Sequence, residues 1–176
     1  MVPLFGEQAA CLLFAKAWAN REKGIGSVIA DLDKALSSES DAHNTVLQVV
    51  TECLKDKVQQ VTTKAFQLVD EYTKALHAHK QLSPKSEISN TEKMLVQLLD
   101  RLADPKFAAK AEQCYFELFK VEQYDGQFLL GFLLKSSSYV NKNMSTSVKH
   151  IVPRLQMLLT IVDKFPYYEN DLKKLT

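Results

Sequence analysis

From Val58 to Leu76 one apolar stripe runs through Val58, Val61, Ala65, Leu68, Val69, Tyr72 and Leu76, with mostly polar or charged residues between them. Spacings of three and four keep one face of a helix apolar for about five turns, which predicts a core-facing helix opened by a capping Asp56. The same rhythm runs along most of the chain. Phe5, Cys11, Leu12, Leu13 and Phe14 predict a helix from Leu4 to Ala17, interrupted at Trp18-Ala19-Asn20, with Asn20 placed to cap the next. Ile25, Val28, Ile29, Leu32 and Leu36 continue it. Gly24 and Gly26 weaken that helix by about 1 kcal/mol each relative to alanine unless they permit close packing. A polar loop, Ser37–Asp41, precedes a third helix on Val46, Leu47, Val50, Cys53 and Leu54, which breaks at Lys55-Asp56-Lys57.

Past Leu76 the pattern pauses. His77–Ser89 is the longest irregular stretch, with Ser83-Pro84 as a turn signal and Ser89-x-x-Glu92 spaced as a capping box. Leu95, Val96, Leu98, Leu99 and Leu102 then form a stripe that ends at Ala103-Asp104-Pro105. Asp104 suits a helix cap and Pro105 the first helical position, so a helix carrying Phe107, Ala111, Cys114, Leu118 and Phe119 follows at once. A loop at Glu122–Gly126 leads to Phe128, Leu129, Phe132 and Leu133. Polar Ser136–Ser147 holds another turn. Val148, Ile151, Val152, Leu155, Leu158, Leu159 and Val162 trace the last stripe, with a bend expected at Pro153.

The helices fall into pairs joined by short turns near Trp18, Asp56, Asp104 and Asn141. Their spacings, roughly 38 to 48 residues, bracket the period of HEAT and armadillo repeats. No heptad seam persists along the chain and no strand alternation of useful length appears. The expected architecture is all-α: a single domain over residues 1–176, an α-solenoid of HEAT-like helical hairpins with about four repeats at 4–36, 41–77, 89–121 and 126–165. Its short turns would line up along one edge.

Composition narrows the function classes. Hydrophobic residues make up 46% and the net charge is +1, so any affinity for an acidic partner must come from local placement. A basic nucleic-acid-binding domain is disfavoured on the same ground. No apolar run reaches membrane-spanning length and no leader pattern is present. Cys11, Cys53 and Cys114 are isolated, odd in number and set in apolar stripes, which reads as buried free thiols in a reducing, intracellular compartment. There is no phosphate loop and no zinc-type spacing. His77 and His79, two apart, point to different faces, while His43 and His150 sit in polar surroundings without an acid-base partner. No catalytic residue, metal or cofactor is expected.

What remains is the turns. Lys16 and Arg21 flank the first, Lys55 and Lys57 the second, Lys106 and Lys110 the third, and Lys142 the fourth. Trp18, the only tryptophan, lies at the first turn, either packed between the first two helices or exposed as an aromatic anchor among cations.

Lys16-Ala17-Trp18-Ala19-Asn20-Arg21-Glu22, with Phe5-Gly6-Glu7 ahead of it, resembles the first-turn motif of TOG domains, HEAT-repeat modules that bind tubulin. Leu99-Asp100-Arg101-Leu102-Ala103-Asp104-Pro105-Lys106 is similar to that family's third-turn pattern. The likeness runs from about Leu4 to Phe165. It implies a noncatalytic module whose partner is the tubulin heterodimer or microtubule, at microtubule ends or with ciliary and centriolar proteins in the cytoskeleton. By the resemblance Trp18 would pack on tubulin, and Lys55 or Lys57, Lys106 and Lys142 would meet acidic tubulin surface from the later turns. Lys16 and Lys110 would support them, and Arg21 would act within the repeat. TOG domains are generally longer arrays than the four pairs legible here, and both Pro153 and the long His77–Ser89 connection depart from the pattern.

Overall fold

A computed structural model of the chain describes residues 2–38, 42–79, 88–121, 124–134 and 148–165. Among the described residues there are eight α-helices and no strand: α1 (Val2–Leu13), α2 (Trp18–Ser38), α3 (Ala42–Leu54), α4 (Gln59–Ala78), α5 (Ile88–Arg101), α6 (Ala108–Phe119), α7 (Gly126–Leu134) and α8 (Val148–Lys164). The chain divides into two compact units, Met1–Met94 and Leu95–Thr176.

In the first unit α1 packs on α2, α2 on α3 and α4, and α3 on α4. The stripe of α4 is buried as its spacing requires: Val61, Ala65, Leu68, Val69, Tyr72 and Leu76 all lie in the core. Val58 is half-buried just ahead of the helix. Three of the buried threonines are tolerated in this core because their hydroxyls find carbonyls: Thr51 donates to Leu47 at 2.7 Å, Thr62 to Asp56 at 2.9 Å and Thr73 to Val69 at 2.8 Å. Gly24 is where α1 and α2 approach most demandingly. A β-carbon there would lie 2.7 Å from the Leu13 nitrogen and 3.0 Å from the Leu12 carbonyl carbon, so the glycine permits contact between helix backbones. Gly26 meets nothing closer than the Lys64 side chain, at 3.8 Å. At Gly6 the backbone turns to φ +78°, kinking α1 near its start.

Several expectations are corrected by helical phase. His43 is buried, with the Tyr72 hydroxyl 2.9 Å from its Nδ1, and burial lowers its pKa to about 4. His150 is buried too. Both have polar sequence neighbours, yet their positions on α3 and α8 face inward. Cys114 is buried and Cys53 half-buried, but Cys11 is exposed, because it shares the outer face of α1 with Glu7 and Phe14. Asn20 does not cap α2. The helix has already begun at Trp18, and the Ala17 carbonyl accepts the N–H groups of Asn20 and Arg21. Ser89 lies inside α5, not at its cap. Ser83-Pro84 and the connection around it lie outside the described residues.

In the second unit the core gathers Leu98, Leu99, Ala111, Cys114, Tyr115, Leu118, Leu129, Leu130, Met157 and Ile161. Tyr115 donates its hydroxyl to the Leu129 carbonyl at 2.9 Å, tying α6 to α7, and α7 packs on α8. The end of α8 is held on α6 by two ring contacts: Phe165 stacks on Phe119 at 5.9 Å, and the Lys164 ammonium sits 4.2 Å from the centre of the Phe116 ring. Pro153 stands within α8, which runs on as one helix from Val148 to Lys164. Asp125, unremarked in the sequence pattern, opens α7: its Oδ1 accepts the Gln127 N–H at 2.9 Å and its carbonyl accepts that of Leu129.

Candidate functional site

The first turn is short. Only Phe14–Ala17 separate α1 from α2, and Trp18 is the first residue of α2, not part of the turn as its sequence position implied. The residue remains 44% exposed, so it is not packed away between the helices. Phe14, assigned by its apolar character to the core side of α1, is 71% exposed. It closes the helix on the same outer face as Glu7 and Cys11. The first turn therefore presents two aromatic side chains, one of which the sequence pattern concealed.

Arg21, one turn into α2, organises what lies behind them. Its Nη1 donates to the carbonyls of Ala15 at 3.0 Å and Lys16 at 2.7 Å, which closes the first turn on itself. Its Nε donates to Asp56 Oδ2 at 2.7 Å and its Nη2 to Asp56 Oδ1 at 3.2 Å. This two-pronged ion pair links the first turn to the second across 35 residues of sequence. Asp56 was expected as the cap of α4. It accepts the Val58 N–H at 2.8 Å, but α4 begins at Gln59 with Val58 at the cap position, and the carboxylate is turned toward Arg21. Burial alone would raise the Asp56 pKa. The hydrogen bonds from Arg21 and from the backbone N–H of Val58 outweigh it, and the carboxyl sits below its ordinary range. The hydrogen bond to Asp56 holds the Arg21 pKa above its ordinary value.

With Asp56 turned inward, Lys55 and Lys57 are left on the outside of the second turn, both exposed, and Lys16 is exposed on the first. Lys55 meets Glu52 at 2.6 Å, a solvent-facing pair. Beside the clasp a groove of about 410 Å³ is lined by Leu13, Phe14, Val49, Cys53 and Val61, with Arg21 and Asp56 among its polar walls. Burial, then the charges of Asp56 and Glu52, push the Cys53 thiol up to about 12, so it stays protonated and unreactive.

The third turn belongs to the second unit. Asp104 accepts the Lys106 N–H on Oδ1 at 3.0 Å, and its carbonyl accepts those of Phe107 and Ala108. The residue thus caps a single turn over Pro105 and Lys106. α6 itself starts at Ala108, later than the sequence signal implied, with Phe107 at the cap position. Arg101 Nη1 lies 4.0 Å from Asp104 and its guanidinium 5.4 Å from the Phe107 ring centre. Lys106 is exposed, and Lys110 donates to Gln113 at 3.1 Å. Lys142 and the turn near Asn141 lie outside the described residues. Of the predicted residues, the structure brings Lys16, Trp18, Arg21, Lys55 and Lys57 onto two clasped turns of one unit.

Among the described residues no cluster of three or more His, Cys, Asp or Glu side chains is placed to hold a metal, and no helix is long and apolar enough to cross a membrane.

No protein-family model and no curated protein matches the chain. Solved structures do. The chain is similar to a structure described as "CEP104 TOG domain", at 20% identity and a TM-score of 0.72, over 93% of this chain and 65% of that one. It is likewise similar to the TOG domain of human Cep104, at 17% identity and a TM-score of 0.73, over 93% of this chain and 64% of the other. The fold is therefore the all-α fold of a TOG domain, and the chain spans just under two thirds of the length of those structures.

Proposed function

We propose that the chain is a noncatalytic tubulin-binding module that docks the turns joining its helix pairs on the tubulin heterodimer. It would act at microtubule ends or on ciliary and centriolar microtubules, within the cytoskeleton. The observation that carries this reading is the exposed Trp18 standing at the head of two turns locked together by Arg21 and Asp56. Docking removes the indole from water, and its rigid seat means little side-chain freedom is lost on contact. Lys16, Lys55 and Lys57 on the clasped turns, with Lys106, Lys110 and Lys142 from the later ones, steer and orient an acidic partner surface. Arg21 supports the site from behind, since its guanidinium is already engaged by two carbonyls and a carboxylate. A second reading, a HEAT-like scaffold for a non-tubulin partner, is favoured by the apolar groove beside Phe14.

The test is comigration with tubulin on gel filtration. Trp18→Ala combined with Lys106→Ala abolishes comigration while helicity by circular dichroism is kept. Comigration that survives the double substitution, or is absent from the wild-type chain, removes the tubulin reading and leaves the scaffold.

A further inference from the structure

The last described helix carries an apolar face that stands exposed among the described residues. Along α8, Met157 and Ile161 are turned into the core at 1% and 0% exposure, as their helical phase requires. The other side shows Val152 at 41%, Leu155 at 51% and Leu159 at 70%, with Val162 half-buried in line with them and Ile151 alongside. Contiguous exposed aliphatics of this kind mark an interaction surface.

Two features say what the surface fits. Val152, Leu155, Leu159 and Val162 are spaced three, four and three apart, the a and d rhythm of a helix that packs lengthwise on another. The order is also a palindrome: valine, leucine, leucine, valine, mirrored about Met157. A two-fold axis through the middle of α8 therefore sets each valine against a valine and each leucine against a leucine. Between Ile151 and Val162 the one charged residue is Arg154, which interacts electrostatically with Asp100 and Tyr115 of its own unit, so the seam holds no charge to repel a copy of itself. Antiparallel helices also bring their opposed macrodipoles together favourably.

We infer that α8 is the self-association surface of this protein, two copies packing antiparallel so that Val152 meets Val162 of the second copy and Leu155 meets Leu159 of the second copy. The interface is isologous, as closed two-fold dimers require. Its apolar strip is shorter than a standard interface, so the dimer is weak and depends on concentration. The inference rests on α8 alone and is independent of tubulin.

Sedimentation velocity over a wide concentration range, without tubulin, tests it. The wild-type chain shifts from monomer to dimer as concentration rises. Leu159→Glu raises the dimer dissociation constant by more than about 100-fold, since it sets a carboxylate against a leucine in the seam, and so does Leu155→Glu. Because residue 155 faces residue 159 of the other copy, the double variant Leu155→Glu/Leu159→Lys makes two complementary pairs and recovers dimer to within about tenfold of wild type. These sites are exposed, so unchanged circular dichroism confirms that the fold is intact. A wild-type chain that stays monomeric throughout overturns the inference, including where some other segment covers α8. So does a dimer indifferent to Leu159→Glu, or a double variant no better than either single one.

Discussion

The second and third turns are built from similar residues and do different things. Each sets an aspartate among cations, Lys55-Asp56-Lys57 in one and Arg101 to Lys106 around Asp104 in the other. Asp56 reaches out of its own hairpin to Arg21, whose remaining donors hold the first turn closed. Asp104 stays local, accepting the N–H of Lys106 and lying 4.0 Å from Arg101 in the same turn. The lesson is that a capping aspartate becomes a strut between repeats when an arginine from the neighbouring hairpin arrives at its other oxygen. Only the first kind fixes where one turn sits relative to the next, and only there does an exposed tryptophan stand on the result.

Removing the arginine should break this contrast most sharply. Arg21→Ala strands a half-buried carboxylate and two turn carbonyls, and should lower stability by about 2–3 kcal/mol in a chemical melt. Binding should weaken with it even though Arg21 need not touch the partner. An effect no larger than that of Asp104→Ala would show the strut to be unimportant.

Acid should separate the contributions next. His43 has its pKa lowered to about 4 by burial, so the unfolded chain takes up its proton first. Stability from this group is complete above its ordinary pKa of 6.5 and is lost as pH falls toward about 4, on the order of 3 kcal/mol. His43→Gln should flatten the dependence of melting temperature on pH in that window. Asp56, also lowered, contributes above its ordinary value of 3.8 and loses that contribution as pH falls through its folded value. This later fall should be missing from Arg21→Ala.

Asp104→Ala should lower stability by about 1 kcal/mol, the loss of a local cap, without loosening the first two turns. Smallest of all, Lys55→Ala breaks only the solvent-facing pair with Glu52 and should change stability by less than about 0.5 kcal/mol. Its effect on tubulin comigration, if the proposed function holds, should exceed its effect on melting.

Much of the fold was legible because it is periodic. The stripe from Val61 to Leu76 is buried residue for residue, and the helices fall where apolar spacing is sustained. The errors concentrate at helix ends and in helical phase. Trp18 joined α2 because the Ala17 carbonyl, not an Asn20 side chain, starts the helix. Phe14 and Cys11 looked like core residues, but the inward positions of α1 are Phe5, Ala9, Ala10 and Leu13. The site was half legible. Exposed lysines at turns can be read from composition, whereas the pairing of Arg21 with Asp56 depends on two hairpins meeting in space. No local pattern announces that. Gly24 shows the same limit: its spelling suggests a weakened helix, and only the neighbouring backbone reveals why no larger residue fits.

The unequal placement of the three thiols has a practical consequence. Cys114 is sealed in the core and Cys53 is held protonated, while Cys11 stands in solvent a few residues before the first turn. A maleimide dye added to the native chain should therefore couple at one place, giving an optical reporter beside Phe14 and Trp18 without engineering. Its emission would register anything that settles on that end of the molecule.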